Sequence, residues 1–183
     1  ARDIADAFDA FEGEFLILGT PGAGKTTTLL DLAQVLVKRA EQDETLPMPL
    51  VFNLASWSTK RLPLDDWFVG ELASPRYEVP RKVARAWIYN DQILPLLDGL
   101  DEVTEEHRAA CVAAINAFRA GRERRLARLV VCCRLAEYER LPQVRLQGAI
   151  LVQPLNDEQV NTYLGASGAQ VAGLRAALRD DAD

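Results

Sequence analysis

Gly19-Thr20-Pro21-Gly22-Ala23-Gly24-Lys25-Thr26 has the spacing G-x-x-x-x-G-K-[ST] of a turn that cradles phosphates. Glycines at such positions let backbone N–H groups converge on phosphate oxygens without side-chain obstruction. The helix that must follow adds the partial positive charge of its N-terminus. In such a turn Lys25 reaches the β- and γ-phosphates of a nucleoside triphosphate, and the Thr26 hydroxyl ligates Mg²⁺. The expected nucleotide contacts are Gly19, Thr20, Pro21, Gly22, Ala23, Gly24, Lys25, Thr26 and Thr27.

A phosphate turn leaves the metal short of a second protein contact, so an acidic residue should end a neighbouring apolar strand. Asp98 meets that requirement, at the head of Asp98-Gly99-Leu100-Asp101-Glu102. Its role would be to hold the hydration shell of Mg²⁺, which keeps several waters and takes few direct carboxylate ligands. Glu102 first, and Asp101 after it, are the candidates for a general base that orients and activates an attacking water. The plain alternative for this cluster is a solvated acidic turn.

These residues need elements to position them. Glu14 to Leu18 is a short apolar run ending at Gly19, and Leu29, Leu32, Ala33, Leu36 and Val37 then repeat at helical spacing over Lys25 to Ala40. Leu50–Leu54, Gln92–Leu97, Leu129–Cys133 and Ala149–Val152 read as further strands, each entered from a polar, proline-bearing or helical stretch. Helices are expected at Leu64–Ala73, with Asp65 and Asp66 at its positive end, at Pro80–Tyr89, and from a Thr104 cap to about Ala120. Asn156 should cap a last helix pair, broken near Gly168. The pattern predicts an α/β fold in three layers, a five-stranded, mainly parallel sheet with helices on both faces. Residues 1–155 would form the core and 156–183 a helical extension. The chain opens on Ala1 and closes on a charged tail, as if cut from something longer.

The run Leu96-Leu97-Asp98-Gly99-Leu100-Asp101-Glu102 resembles the extended Walker B motif of the NACHT family of P-loop NTPases, a STAND class with bacterial members. In that family a small residue follows the metal-binding Asp, and an acidic pair lies two positions beyond. Gly19 to Thr26 looks like the family's Walker A and Phe52 to Trp57 like its second-strand region. Val130-Val131-Cys132-Cys133-Arg134 is similar to its sensor strand, and Val152 to Leu155 with a helix at 157–164 to its link out of the sheet. The resemblance implies that Arg134 senses the γ-phosphate. It also implies slow ATP hydrolysis, with ATP and ADP states that switch signalling and self-association of a longer protein. The family's winged-helix region has no counterpart in these residues.

Other features bound the alternatives. A formal charge of −6 and a pI near 4.9 argue against a general nucleic-acid or anionic-membrane surface. Arg119, Arg122, Arg124, Arg125 and Arg128 form a local basic cluster, read as a solvated helix end. Cys111, Cys132 and Cys133 match neither a disulfide framework nor a zinc site, which suits buried thiols in a reducing compartment. With no leader pattern and no apolar run of bilayer length, a cytoplasmic chain is expected. His107, beside Glu105 and Glu106, reads as an exposed helix residue, and Trp57, Trp67 and Trp87 as core or helix packing rather than a base-stacking surface. A small-molecule kinase would need an acceptor pocket and an arginine-bearing lid, and neither is visible. A GTPase would need an [NT]-K-x-D segment, and Thr59-Lys60-Arg61-Leu62 lacks the acid. A binding module with negligible turnover is the remaining alternative.

Overall fold

The computed structural model describes residues 4–121 and 128–154. Chain contacts separate a unit spanning Ala1–Val152 from one beginning at Gln153, and every element named here belongs to the first. Helix α1 (Ile4–Ala10) leads into β1 (Glu14–Gly19), α2 (Lys25–Gln42) and β2 (Met48–Asn53). A 3₁₀ turn at Leu54–Ser56 runs into α3 (Trp57–Lys60), then α4 (Leu64–Leu72), α5 (Arg81–Tyr89) and β3 (Ile93–Asp98). A second 3₁₀ turn, Leu100–Glu102, precedes α6 (Glu105–Ala120), β4 (Leu129–Arg134), α7 (Leu135–Tyr138) and β5 (Gly148–Val152).

The five strands form one sheet in the order β2-β3-β4-β1-β5, and every described pair is parallel. Strand side chains alternate between faces, and the core divides accordingly. Phe15, Ile17, Leu96, Val130 and Cys132 pack against Leu29, Leu32 and Leu36 of α2 and Phe8 of α1. Their neighbours Leu16, Leu18, Leu97, Val131 and Cys133 pack on the opposite face, with Trp67 and Phe68 of α4 and Ile115 and Phe118 of α6. This gives the three layers expected of crossovers on both faces. On the second face Phe68 is the aromatic hub, 4.7 Å from Phe52 and 5.4 Å, edge-on, from Phe118 by ring centroids.

Several boundaries differ from the sequence reading. β2 starts at Met48 and stops at Asn53, one residue short of the expected Leu54, because the chain tightens into a 3₁₀ turn there. α3 and α7 fall where no helix was expected; both are single turns, too short to show a periodic pattern. Thr104 occupies the N-cap position of α6, but its side chain makes no capping bond. Trp57 and Trp67 are buried, each donating its indole N–H inside the fold, to Leu62 O at 2.9 Å and Ser56 Oγ at 3.2 Å. His107 is half-buried rather than exposed, with Nε2 3.3 Å from Glu106. Arg119 is not part of a solvated cluster: it pairs with Glu14, whose side chain is 4% exposed at the start of β1. The helix pair expected beyond Asn156, the extension 156–183, and Arg122, Arg124 and Arg125 lie outside the described residues.

β2 is an edge of the sheet. The Tyr77 hydroxyl donates to Val51 O at 2.9 Å, and Pro49 contributes no N–H along the strand. Among the described residues no helix is long and apolar enough to cross a membrane.

Alternation sends the adjacent Cys132 and Cys133 to opposite faces, which separates their sulfurs, and all three cysteines are free and buried. Burial pushes the thiols of Cys111 and Cys133 up to about 12, and that of Cys132 well above its ordinary value of 9.0. Folding therefore favours the protonated thiol. The associated stability is complete below pH 9.0 and is lost as pH rises through the raised values. The denaturant midpoint should fall above pH 9.0, and a thiol reagent should label none of the three at pH 8 (roughly one pH unit below an ordinary thiol's titration) until denaturant is added. Rapid labelling of the native chain would contradict the burial. Glu14→Ala should destabilise the fold by about 3 kcal/mol in a denaturant titration, because it strands the Arg119 guanidinium in a mostly buried position.

Candidate functional site

A parallel sheet delivers all its strand exits to one edge, and here the polar residues stand at those exits. Gly19, at the end of β1, lies level with Arg134 of β4 and Val152 of β5, and Asn53 of β2 lies level with Asp98 of β3. From β1 the chain crosses to β2 on the far side of β4 and β3, whereas β5 lies on the other flank of β1. The crevice beside β1 and β4 is thus the switch point at which open α/β sheets take ligands.

Between β1 and α2 the chain makes the glycine turn. Gly22 and Gly24 adopt φ of 74° and 90°, the left-handed region that a side chain would strain, and Gly24 serves as the N-cap of α2 with no side chain capping it. The first amides of an 18-residue helix therefore face the crevice without a side-chain partner. Lys25 turns back over the loop, its Nζ donating to Thr20 O at 2.9 Å and Gly19 O at 3.3 Å. Thr20, Pro21, Gly22, Thr26 and Thr27 are exposed; Gly19 and Ala23 are buried.

The acid turn after β3 comes to meet it. Thr26 Oγ1 donates to Asp98 Oδ2 at 2.9 Å, joining residues 72 apart in the chain. Gly99 bends the chain with φ of 75°, the left-handed region that a side chain would strain, and a Cβ there would stand 2.8 Å from the Glu102 carboxylate and oblige that acid to shift. Glu102 is exposed and accepts from Asn53 Nδ2 at 3.2 Å, while Asn53 Oδ1 accepts the Ala55 amide at 2.7 Å. Asp101 differs: its carboxylate is 7% exposed and both oxygens go to Arg134, one to Nε at 2.8 Å and the other to the backbone N–H at 3.0 Å. Pro21, Gly22, Gly24, Lys25, Thr26, Thr27, Asp98, Gly99, Asp101, Glu102 and Arg134 together line a cleft of about 310 Å³.

The donors present suit a hard, strongly hydrated cation. A threonine hydroxyl and an aspartate carboxylate already touch, both are oxygen ligands, and both border the uncapped helix end where phosphates would lie. Among the described residues no group of three or more His, Cys, Asp or Glu side chains forms a closed metal cage.

Asn53 went unread as a site residue. Extending β2 to Leu54 places Asn53 inside a strand, whereas in the fold it ends one; a polar residue closing the apolar run Pro49–Phe52 is the signal that could have found it. Arg108 is likewise new to the site, and nothing in the helical pattern of α6 distinguishes it.

The NACHT domain family model matches residues 14–167. Among solved structures the chain is similar to C. elegans PCH-2, at 16% identity and a TM-score of 0.50, over 87% of this chain and 40% of that one. It is also similar to a chain of Drosophila ORC bound to DNA, at 19% identity and a TM-score of 0.49, over 87% of this chain and 43% of that one. The chain thus spans less than half the length of either structure, and at such identity the first likeness speaks to the fold alone. No curated protein matches it.

Proposed function

The chain belongs to the NACHT family of P-loop NTPases, and from that premise we propose that it binds ATP with Mg²⁺, hydrolyses it slowly, and serves a longer protein as a nucleotide-dependent signalling and self-association switch. The observation that supports this reading is the 2.9 Å contact between Thr26 and Asp98, which brings the phosphate turn and the acid turn together. Thr26 and Asp98 would hold Mg²⁺, which supplies charge neutralisation for the β- and γ-phosphates.

The chain's own residues would do the rest. Lys25 exchanges its two carbonyl contacts for phosphate oxygens, a short movement of a flexible stem. Glu102, exposed and held at one oxygen by Asn53, accepts the proton of the water that attacks the γ-phosphorus as the bond to the β-phosphate oxygen breaks. Asp101 is the weaker candidate for that role because Arg134 occupies both its oxygens. It fixes Arg134 instead. The guanidinium, anchored through Nε and 48% exposed on its side chain, borders the cleft where a γ-phosphate would sit. A contact available to ATP and not to ADP is what a two-state switch requires, since a ligand shifts an equilibrium only by its differential affinity. A reducing, cytoplasmic setting is in keeping with the three free thiols.

Lys25→Ala should weaken ATP–Mg²⁺ binding by at least about a hundredfold, roughly 2.7 kcal/mol, in calorimetry. Unchanged affinity would remove the assignment. Glu102→Gln keeps the shape and loses the base, so ATP binding should persist while phosphate release drops by about 10²-fold or more. Turnover equal to the parent chain would clear Glu102 of that role.

A further inference from the structure

Arg108 stands in the second turn of α6, 18% exposed on its side chain. It spends its whole fork inside the protein. Nε donates to Val103 O at 2.8 Å, one terminal nitrogen donates to Asp101 O at 2.7 Å, and the other pairs with Glu137 Oε2. Those two carbonyls belong to the residues on either side of Glu102, so a single guanidinium grips the backbone before and after the acid. Its third partner, Glu137, lies on α7, which begins directly after Arg134. Arg134 in turn is bound through its side chain and its amide to the carboxylate of Asp101, the residue whose carbonyl Arg108 holds.

A closed circuit results: Arg108 to Asp101, Asp101 to Arg134, Arg134 along the chain to Glu137, and Glu137 back to Arg108. No member of it other than Asp101 and Arg134 borders the cleft. We propose that Arg108 is a positioning residue for the hydrolytic step, fixing the Glu102 turn and the Arg134 segment as one body, so that base and γ-phosphate contact keep a common register. The inference rests on the function proposed above and adds a residue outside the nucleotide cleft. Arginine is required because a planar fork serves three acceptors in fixed directions, which a lysine ammonium on a flexible stem does not reproduce. Backbone carbonyls as two of the three partners also mean that reversing the charges of Arg108 and Glu137 would not restore the clamp.

The test compares Arg108→Lys and Glu137→Gln with the parent chain. In Arg108→Lys, affinity for ATP–Mg²⁺ should stay within about twofold, phosphate release should fall by about tenfold or more, and the ATP-to-ADP affinity ratio should move toward one. Glu137→Gln retains an acceptor and should lose less. Amide hydrogen exchange on the nucleotide-free chain reads the clamp without turnover: segments 99–103 and 134–138 should quicken together in Arg108→Lys, while α2 keeps its protection. Parent-like turnover or parent-like exchange in Arg108→Lys overturns the inference. So does a uniform loss of protection and ATP affinity, which would make Arg108 a general packing residue. A parent chain that binds no ATP overturns the function proposed above, and this inference with it; binding with unmoved exchange overturns this inference alone.

Discussion

Parallel pairing along the whole sheet is the constraint from which the site follows. When neighbouring strands run the same way, each chain exit falls on one edge, and the interior of every strand can be wholly apolar because none of it has to carry chemistry. β1 shows the division plainly: its six residues are all buried, and it yields to an exposed turn at Thr20. Level registers then do the assembling. Asn53 beside Asp98, and Gly19 beside Arg134, are neighbours because the strands that carry them end together. Without that alignment, the 72-residue separation of Thr26 and Asp98 would have no reason to close to 2.9 Å.

Much of this was legible in the residues alone. The five strand runs, the order of strand, glycine turn and helix around Gly19–Thr26, and the placing of Asp98 at a strand end come from patterns that physics enforces: apolar runs for strands buried on both faces, and glycines where φ is positive. Family membership followed from the same residues. The circuit around Arg108 could not be read in advance, because two of its links end on main-chain carbonyls, which every residue has and no pattern displays. Asn53 was lost to a one-residue error of boundary, which moved it from the exit of β2 to its interior. Arg119 was misjudged for a related reason. Seen in sequence it joins other arginines, while in space it answers a buried glutamate more than a hundred residues away, 105 by chain count.

At the cleft, neighbouring charges meet unlike surroundings. Two acids of near-identical chemistry, Asp101 and Glu102, sit side by side yet meet different surroundings: one enclosed and bound to a guanidinium, the other open to the cleft with an amide at its flank. Environment separates them where residue type could not. The thiol pair Cys132 and Cys133 shows the same separation by geometry alone, since one faces the α2 layer and the other the α4 and α6 layer.

The blunted margin at β2 carries a consequence for any higher-order architecture built from this unit. A bare strand border invites extension by a second backbone, ladder upon ladder, and such growth has no natural stopping point. With a phenol seated on the Val51 carbonyl and an imino acid at position 49, that border is poorly suited to templating. Copies of the domain that gather would thus have little reason to merge their sheets at β2, a limit that does not extend to the opposite border, β5.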